Sequence, residues 1–495
     1  MISDIFNNVL INSSFDLKKR ELITKDKVYH FIGIGGCGMS GIAKVMSEMG
    51  FKIQGSDIHE SDYTKELQAL NQDIRIIFKH DETNVYNADV IVFSDVIDNA
   101  NPELKYAKTH DIPIVPRAVM LDYIMNIKNK TSIAVSGTHG KTTTTSFISI
   151  LLKESGKQPT FINGGIINRY KTNAEYGQGN FSIFEACEAF GNIKYFNPSI
   201  SIITNVELDH MEYYKTTDNL VEHFNGFISR TKDLCLLDID TDLSQKLYKK
   251  YKNSLKVKTL SLSNPYADIF AKDVCVSLNS ISFVAVFKKD QEYRELLIEM
   301  PIIGNHNVKN ALCAVYVGSY IGLTDEEIQQ ACKKFTGNKH RFSNVATVNG
   351  ITIIDDYGHH PSEVSSVIDT AREIISKNSD ITVIFEPHKY TRFAACWDDF
   401  KKVFSTVSNL IITPIFEAGE SKISGITPEN FVKEISNDAH LKHCIAIKSF
   451  DDIALYINEF CKEFDLVLSF SAGALKDYIY SIPSQLDKLK KHTQK

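Results

Sequence analysis

The stretch VSGTHGKTTTT (135–145) packs an apolar strand end, a glycine turn and a helix start into a single short run. A strand that passes through a glycine turn straight into a helix calls for a parallel sheet with crossover helices. The chemistry is equally confined. Gly137 and Gly140 leave room for backbone N–H groups to converge on an anion. Lys141 can neutralise phosphate oxygens, and the Thr142 hydroxyl can ligate an accompanying Mg2+. The loop residues Gly137, Thr138, His139, Gly140, Lys141, Thr142 and Thr143 therefore form a candidate nucleotide site. The span from glycine to lysine is shorter than in the common nucleotide-binding loop.

A second glycine cluster lies earlier, in HFIGIGGCGMSGIAK (30–44), again between an apolar strand and a helix with Ile42, Val45, Met46 and Met49 on one face. Gly33, Gly35, Gly36 and Gly38, with Met39 and Ser40 after them, permit close approach of a pyrophosphate. Asp57 closes the next strand, FKIQGSD, where a ribose would lie. The same geometry serves NAD(P) or any nucleoside diphosphate, or simply tight helix–sheet packing. Further strands are expected in DVIVFSDVI and IPIVP, and SFVAVFKKDQEYRELLIEM reads as a hairpin around its polar middle. LTDEEI is a helix start: Thr324 caps, Glu327 reaches back, and Leu323 and Ile328 staple. From about Lys339, strand, loop and helix recur in ITIIDDYGHHPSEV, ITVIFEP, LIITPIFEAG and HCIAIKSF.

Polar residues cluster just beyond several of these strands, the edge at which open α/β sheets bind ligands. Glu188 and His210 can complete a Mg2+ site, or serve as a capping acid and a loop histidine. Asn307 and Asn310 fall on one helix face, where their amides can read a base or cap the helix. Asp356 follows one strand of the last segment; His388, Lys389 and Arg392 follow another and offer partners for anions.

Taken in order, HFIGIGGCGMSGIA, GSD, PRAVML, SGTHGKTTTT, FEACE, TNVELDHMEYY, GNHNVKNA, DDYGHHPSE, EPHKYTR and FEAGE resemble the Mur ligases over essentially the whole chain. The resemblance implies an α/β chain of three domains. These are a Rossmann-like UDP-sugar domain (1–125), a central P-loop ATPase domain (126–338) and a Rossmann-like domain (339–495) that closes on the nucleotide and brings an amino acid. It also implies ATP-driven joining of L-alanine to UDP-N-acetylmuramate through an acyl phosphate, with Mg2+. Lys141, Glu188 and His210 would then be catalytic, and Thr142, Glu188 and His210 would hold the metal. Asn307, Asn310, Arg341 and Asp356 would serve ATP beside the Lys141 loop. Gly35, Gly36, Gly38, Met39, Ser40, Asp57, His388 and Arg392 would serve the other substrates. The chain departs from the family pattern with Val119 for glutamate, Cys187 for aspartate, His340 for arginine, and Ser471 and Ala474 in SAGALKD. No match to the carbamylated lysine of some members is apparent.

Composition narrows the alternatives. A net charge of -6 without a basic stripe speaks against nucleic acid, and no apolar run reaches the length of a membrane span. The opening MISDIFNNVLINSSFDLKKR lacks the pattern of a signal peptide, and nine cysteines without a CxxC pair fit a reducing compartment. A cytoplasmic monomer or homodimer is expected. An NAD(P) oxidoreductase would leave the Lys141 loop without a task, and a folylpolyglutamate synthase would lack the first domain. The ligase that recycles murein peptides has a different first loop. A non-catalytic scaffold would not need Lys141, Thr142, Glu188 and His210 together.

Overall fold

The computed structural model describes residues 23–127, 130–277, 280–289, 292–376, 378–436 and 441–493. The N-terminal stretch read for a signal peptide lies outside these, as do residues 128–129, next to the boundary expected between the first two domains, and Asp290–Gln291 of the expected hairpin. The chain is α/β, and its described residues form three sheets.

The first sheet comprises β1 (Val28–Ile32), β2 (Lys52–Ser56), β3 (Arg75–Ile77), β4 (Val90–Phe93) and β5 (Ile114–Pro116), ordered β3-β2-β1-β4-β5 with every pair parallel. Chain order reverses between β1 and β4, which opens a crevice at their C-terminal ends. The glycine cluster follows β1. Its helix, Cys37–Glu48, buries Ile42, Val45 and Met46, and Met49 caps the end.

Ten strands form the second sheet: β6 (Thr131–Ser136), β7 (Thr160–Ile167), β8 (Thr172–Glu175), β9 (Phe181–Glu185), β10 (Ile200–Ile203), β11 (Leu234–Asp238), β12 (Val257–Ser261), β13 (Ile269–Val276), β14 (Ile281–Lys289) and β15 (Glu292–Met300). Their order is β15-β14-β13-β12-β11-β10-β6-β9-β7-β8. From β13 through β7 the pairs are parallel, and β8 runs antiparallel to β7. The central strands are covered on both faces, so β6, β9 and β10 read as apolar runs rather than alternating ones. Helix Lys141–Glu154 buries Phe147, Ile148, Ile150, Leu151 and Leu152. Each such side chain is worth at most about 1.5–3 kcal/mol of transfer free energy. The helix that sets the phosphate loop is therefore firmly seated.

The third sheet, β16 (Ser343–Val348), β17 (Ile351–Asp356), β18 (Ile381–Phe385), β19 (Asn409–Ile412), β20 (His443–Ala446) and β21 (Leu466–Phe470), is ordered β16-β17-β21-β18-β19-β20. Only β16 is antiparallel to its neighbour. The late return of β21 between β17 and β18 brings Asp356, Glu386 and Ser471 to one edge.

The described chain separates into two compact units. One holds the described residues up to Asp273 with those of Phe283–Ile298 and Lys309–Phe335, and the other holds those of Val274–Ser282, Glu299–Val308 and from Thr336 onward. Within the first unit the helix Cys37–Glu48 docks on the second sheet. Asn173 Nδ2 donates to Cys37 O (2.8 Å) and Lys44 Nζ donates to Thr172 Oγ1 (2.7 Å); away from this helix, Asn192 Nδ2 donates to Asp95 in the loop after β4 (2.7 Å).

Candidate functional site

The phosphate loop leaves β6 and turns back on itself. Gly137 takes φ +129°, and a Cβ there would lie 2.2 Å from Thr204 Oγ1, so the position requires glycine. Gly140 caps the helix at φ +79°. The segment just after the neighbouring strand β10 holds the loop's outer turn: His139 N–H donates to Asn205 Oδ1 (2.9 Å), Thr204 Oγ1 donates to His139 O (2.5 Å), and Glu207 N–H donates to Thr138 Oγ1 (2.9 Å). His139 also faces Glu207 at 3.4 Å.

Lys141 curls over the loop, donating to Gly137 O (2.6 Å), Thr138 O (2.8 Å) and Glu188 Oε1 (3.1 Å). Burial alone would lower its pKa, but the carboxylates, Glu188 first and then Glu185, hold it above the ordinary lysine value. The ammonium is thus fixed in its charged form. Thr142 Oγ1 donates to Glu185 Oε2 (2.7 Å), and Thr143 is half-buried in the first helical turn. Glu185 sits three residues before Glu188 at the end of β9. Sequence reasoning passed over it, though its place as the first glutamate of FEACE was a usable signal. Gly164 of β7 was missed too; a Cβ there would lie 2.1 Å from Glu185 and 2.8 Å from Thr142.

His210 also approaches the Glu188 carboxylate. Its Nε2 lies 3.9 Å from Glu188 and 3.6 Å from Asp209, and its Nδ1 lies 3.5 Å from Glu212. Burial opposes its charge, while Glu212, Asp209 and Glu188 raise its pKa above the usual imidazole value. Its backbone is left-handed at φ 54°, a conformation a non-glycine residue keeps only when its surroundings demand it. Glu188, Asp209 and His210 each present a ligand atom within 4.8 Å of the others. Glu188 Oε2 is buried and, although 3.0 Å from Lys141, has no hydrogen bond of proper geometry. A buried carboxylate oxygen without a hydrogen bond, beside a second carboxylate and an imidazole, is a donor set a divalent cation fits. Asp209 was not foreseen. Cys187 stays a thiol, its pKa pushed up to about 11 by burial.

At the first sheet, Gly33 N–H and Ile34 N–H donate to Ser56 O (2.8 and 3.0 Å), and Gly35 N–H donates to Asp57 Oδ2 (2.8 Å). Asp57 Oδ1 accepts from Ile58 N–H (2.7 Å), so this carboxylate braces the loop. Gly36 caps the helix and Ser40 Oγ donates to Cys37 O (2.9 Å). Met39 is buried in the core. Arg117 lies against Gly38, where a Cβ would stand 2.9 Å from its Nη1, and it makes no ion pair among the described residues. PRAVML carried that signal through its arginine; Val119, two residues on, is partly buried against the core.

Helix Asn305–Tyr320 carries the two asparagines to different partners. Asn310 belongs to the first unit, accepting from Thr144 Oγ1 (3.1 Å), and its Oδ1 would be 2.6 Å from a Cβ on Gly140. Asn307 belongs to the second unit and donates to Ile303 O (2.7 Å).

In the second unit, Asp356 accepts from Phe342 N–H (2.8 Å) and Gly358 N–H (2.7 Å); burial first, against Arg341, pushes its carboxyl up to about 6. Arg341 lies over the Tyr357 ring (5.2 Å) and 3.9 Å from Glu363. His340, the departure from arginine, pairs with Asp355 at 2.5 Å. Arg392 Nη1 meets His388 Nδ1 at 3.0 Å, and the His388 ring stacks on Phe416. Burial, then His359 and the cations Arg392, Lys389 and Lys476, drop His388 to about 3. Ser471, a departure from glycine, donates to buried Glu386 and accepts from Gly473 N–H (3.0 Å) and Lys476 N–H (3.1 Å). The SAGALKD loop is thereby pinned through a hydroxyl the family pattern lacks.

Comparison with known proteins follows these three sheets. A model of the Mur ligase family catalytic domain matches residues 28–129, one of the Mur ligase middle domain matches 135–318, and one of the Mur ligase glutamate ligase domain matches 340–473. The UDP-N-acetylmuramate–L-alanine ligase of Bradyrhizobium sp. (strain ORS 278) is 36% identical over 93% of this chain and 98% of its own length. That of Rickettsia felis is 36% identical over 92% and 96%. Among solved structures, the UDP-N-acetylmuramate-alanine ligase of Thermotoga maritima superposes with a TM-score of 0.78 at 25% identity, covering 94% of this chain and all (100%) of that one. A murein peptide ligase from Psychrobacter arcticus shares the fold, with a TM-score of 0.68 at 20% identity over 93% and 98%.

Proposed function

Since the chain belongs to the Mur ligase family, we propose that it joins L-alanine to the lactyl carboxylate of UDP-N-acetylmuramate at the expense of ATP, a step in peptidoglycan precursor synthesis. The observation that carries this reading is the meeting of Lys141, Glu188 and His210 at one sheet edge, in a chain that aligns almost end to end with enzymes of that name. Gly137–Thr143 hold the ATP phosphates with Asn310 beside them in the first unit; Asn307, Arg341 and Asp356 are the second unit's candidates for contacts to ATP. Gly35, Gly36, Gly38, Met39, Ser40 and Asp57 form the bed for the sugar-nucleotide diphosphate. Met39 and Ser40 serve it through their backbone and helix position, since their side chains are buried.

The reaction brings two anions together. The carboxylate of the sugar attacks the γ-phosphorus of ATP, ADP leaves, and an acyl phosphate forms. The neutral amine of L-alanine then attacks the acyl carbon, the phosphate departs with the C–O bond pair, and the proton that the nitrogen loses ends on the phosphate. Lys141, held charged, trades Glu188 for the phosphate oxygens and offsets the charge that grows there. Glu188, Asp209 and His210, with the Thr142 hydroxyl, are the residues that would hold Mg2+, and the ion would supply positive charge that offsets the repulsion of the two anions. His388, kept neutral, accepts from Arg392 and orients it toward the alanine carboxylate. Nine free thiols accord with a cytoplasmic setting.

Phosphate release from ATP with Mg2+, with each co-substrate present or withheld, tests the reading, together with the product mass. Release that needs both UDP-N-acetylmuramate and L-alanine and yields their conjugate is the expected result. A requirement for a peptide in place of L-alanine would replace it with the recycling reaction.

A further inference from the structure

One buried ion cluster lies outside the machinery described so far. Lys309 Nζ stands 2.6 Å from Asp238 Oδ2 at the end of β11 and 3.2 Å from Asp240 Oδ2 just beyond it. The cluster is itself held in place. Asp240 N–H donates to Asp238 Oδ1 (2.7 Å), Asp240 Oδ2 accepts from Leu262 N–H (2.9 Å), and Ser261 Oγ donates to Asp240 Oδ1. The Asp238 side chain is 1% exposed and that of Lys309 is 23% exposed, so this is no solvated surface pair. Its next neighbour in sequence is Asn310, whose Oδ1 accepts from Thr144 and stands over Gly140 of the phosphate loop.

We propose that Lys309 is a positioning residue for the nucleotide site: clamped by Asp238 and Asp240, it fixes the helix turn that presents Asn310 to Gly140 and Thr144. The inference rests on the reading of this loop as the ATP site. The loop's glycines allow several backbone shapes, and only a fixed partner selects one. At Gly140 that partner is Asn310, whose place depends on where the helix is anchored on the sheet; Asn205 and Thr204 hold only the outer turn. Lys309 supplies the anchor because a buried carboxylate that loses its cation is strongly destabilised, so the helix cannot slide without breaking the pair. Burial already lifts the Asp238 carboxyl to about 6 against the pull of Lys309, which shows how confined the group is.

The test uses the full chain with Lys309→Met and Lys309→Arg, scored by steady-state kinetics in each substrate and by calorimetric titration with Mg-ADP. Lys309→Met should raise the KM for ATP and the ADP dissociation constant about tenfold. The KM values for sugar nucleotide and amino acid should stay within about twofold, and Lys309→Arg, which keeps the ion pair, should recover most of the loss. Nucleotide affinity unchanged in Lys309→Met, or all three KM values rising together, overturns the proposal. If Lys309→Met does not fold, Asp240→Asn is read the same way, since it weakens the clamp while leaving Asp238 paired. The ADP titration separates the two claims: wild-type protein that binds Mg-ADP without ligase turnover would sink the proposed reaction and leave the clamp to be judged on binding.

Discussion

Lys141 shows how little a residue's type says until its partners are known. It donates to two carbonyls of its own loop and to Glu188, so its charge is fixed before any phosphate arrives. Lys141→Met should therefore lower kcat/KM on the order of 10³-fold, the scale of removing one preorganised electrostatic group. Phosphate-release kinetics check this, with circular dichroism confirming the fold. Unchanged turnover would remove Lys141 from the mechanism. Glycines make the complementary case. Gly137→Ala places a methyl 2.2 Å from Thr204 Oγ1 at φ +129°. We expect a loss of roughly 1–3 kcal/mol in denaturant unfolding, along with ATP binding. A variant of wild-type stability would mean that the loop relaxes around the methyl.

At the scale of elements, the helix starts were legible because capping is written locally. Thr324 accepts from Glu327 N–H and Glu327 returns to Thr324 N–H, as LTDEEI implied. Thr324→Ala should cost about 1 kcal/mol by thermal or denaturant melts. An effect near zero would mean that tertiary packing of Ile328 alone holds the helix. Strand lengths were less legible. DVIVFSDVI yields only Val90–Phe93, because polar Ser94 and Asp95 turn away at the crevice. The two strands of SFVAVFKKDQEYRELLIEM are neighbours as expected, but they extend a ten-strand sheet that no local pattern announces.

Two predictions belong to the whole molecule. The first sheet and β6–β12 of the second share one compact unit, so native-state hydrogen exchange should show β1–β5 opening with β6–β12. Protection of β1–β5 lost separately, at lower denaturant, would contradict that. The second unit carries His306 and His359 at about 4 and His388 at about 3, each lowered chiefly by burial. These imidazoles stay neutral in the folded chain while the unfolded chain binds their protons below the ordinary histidine pKa, about 6.5. Stability from them is present above that value and falls as pH drops toward 4. Asp356 at about 6, and Glu386 with a raised pKa, work in the opposite direction over part of that range. The melting temperature of this unit should still decline from pH 6.5 to 4.5, and a combined His306→Asn, His359→Asn, His388→Asn variant should flatten the slope. An equal slope in that variant would place the acid sensitivity elsewhere.

From the sequence alone came the strand–loop–helix units, the glycine positions that need a bare backbone, and the residues at strand ends. These are set by neighbours a few places along the chain. Tertiary structure alone decided that Thr142 meets Glu185, that Asp209 joins Glu188 and His210, that Arg117 lies on Gly38, and that Lys309 locks to Asp238. Each of these contacts depends on which strands lie side by side, and strand order in a parallel sheet is chosen by the packing of distant segments.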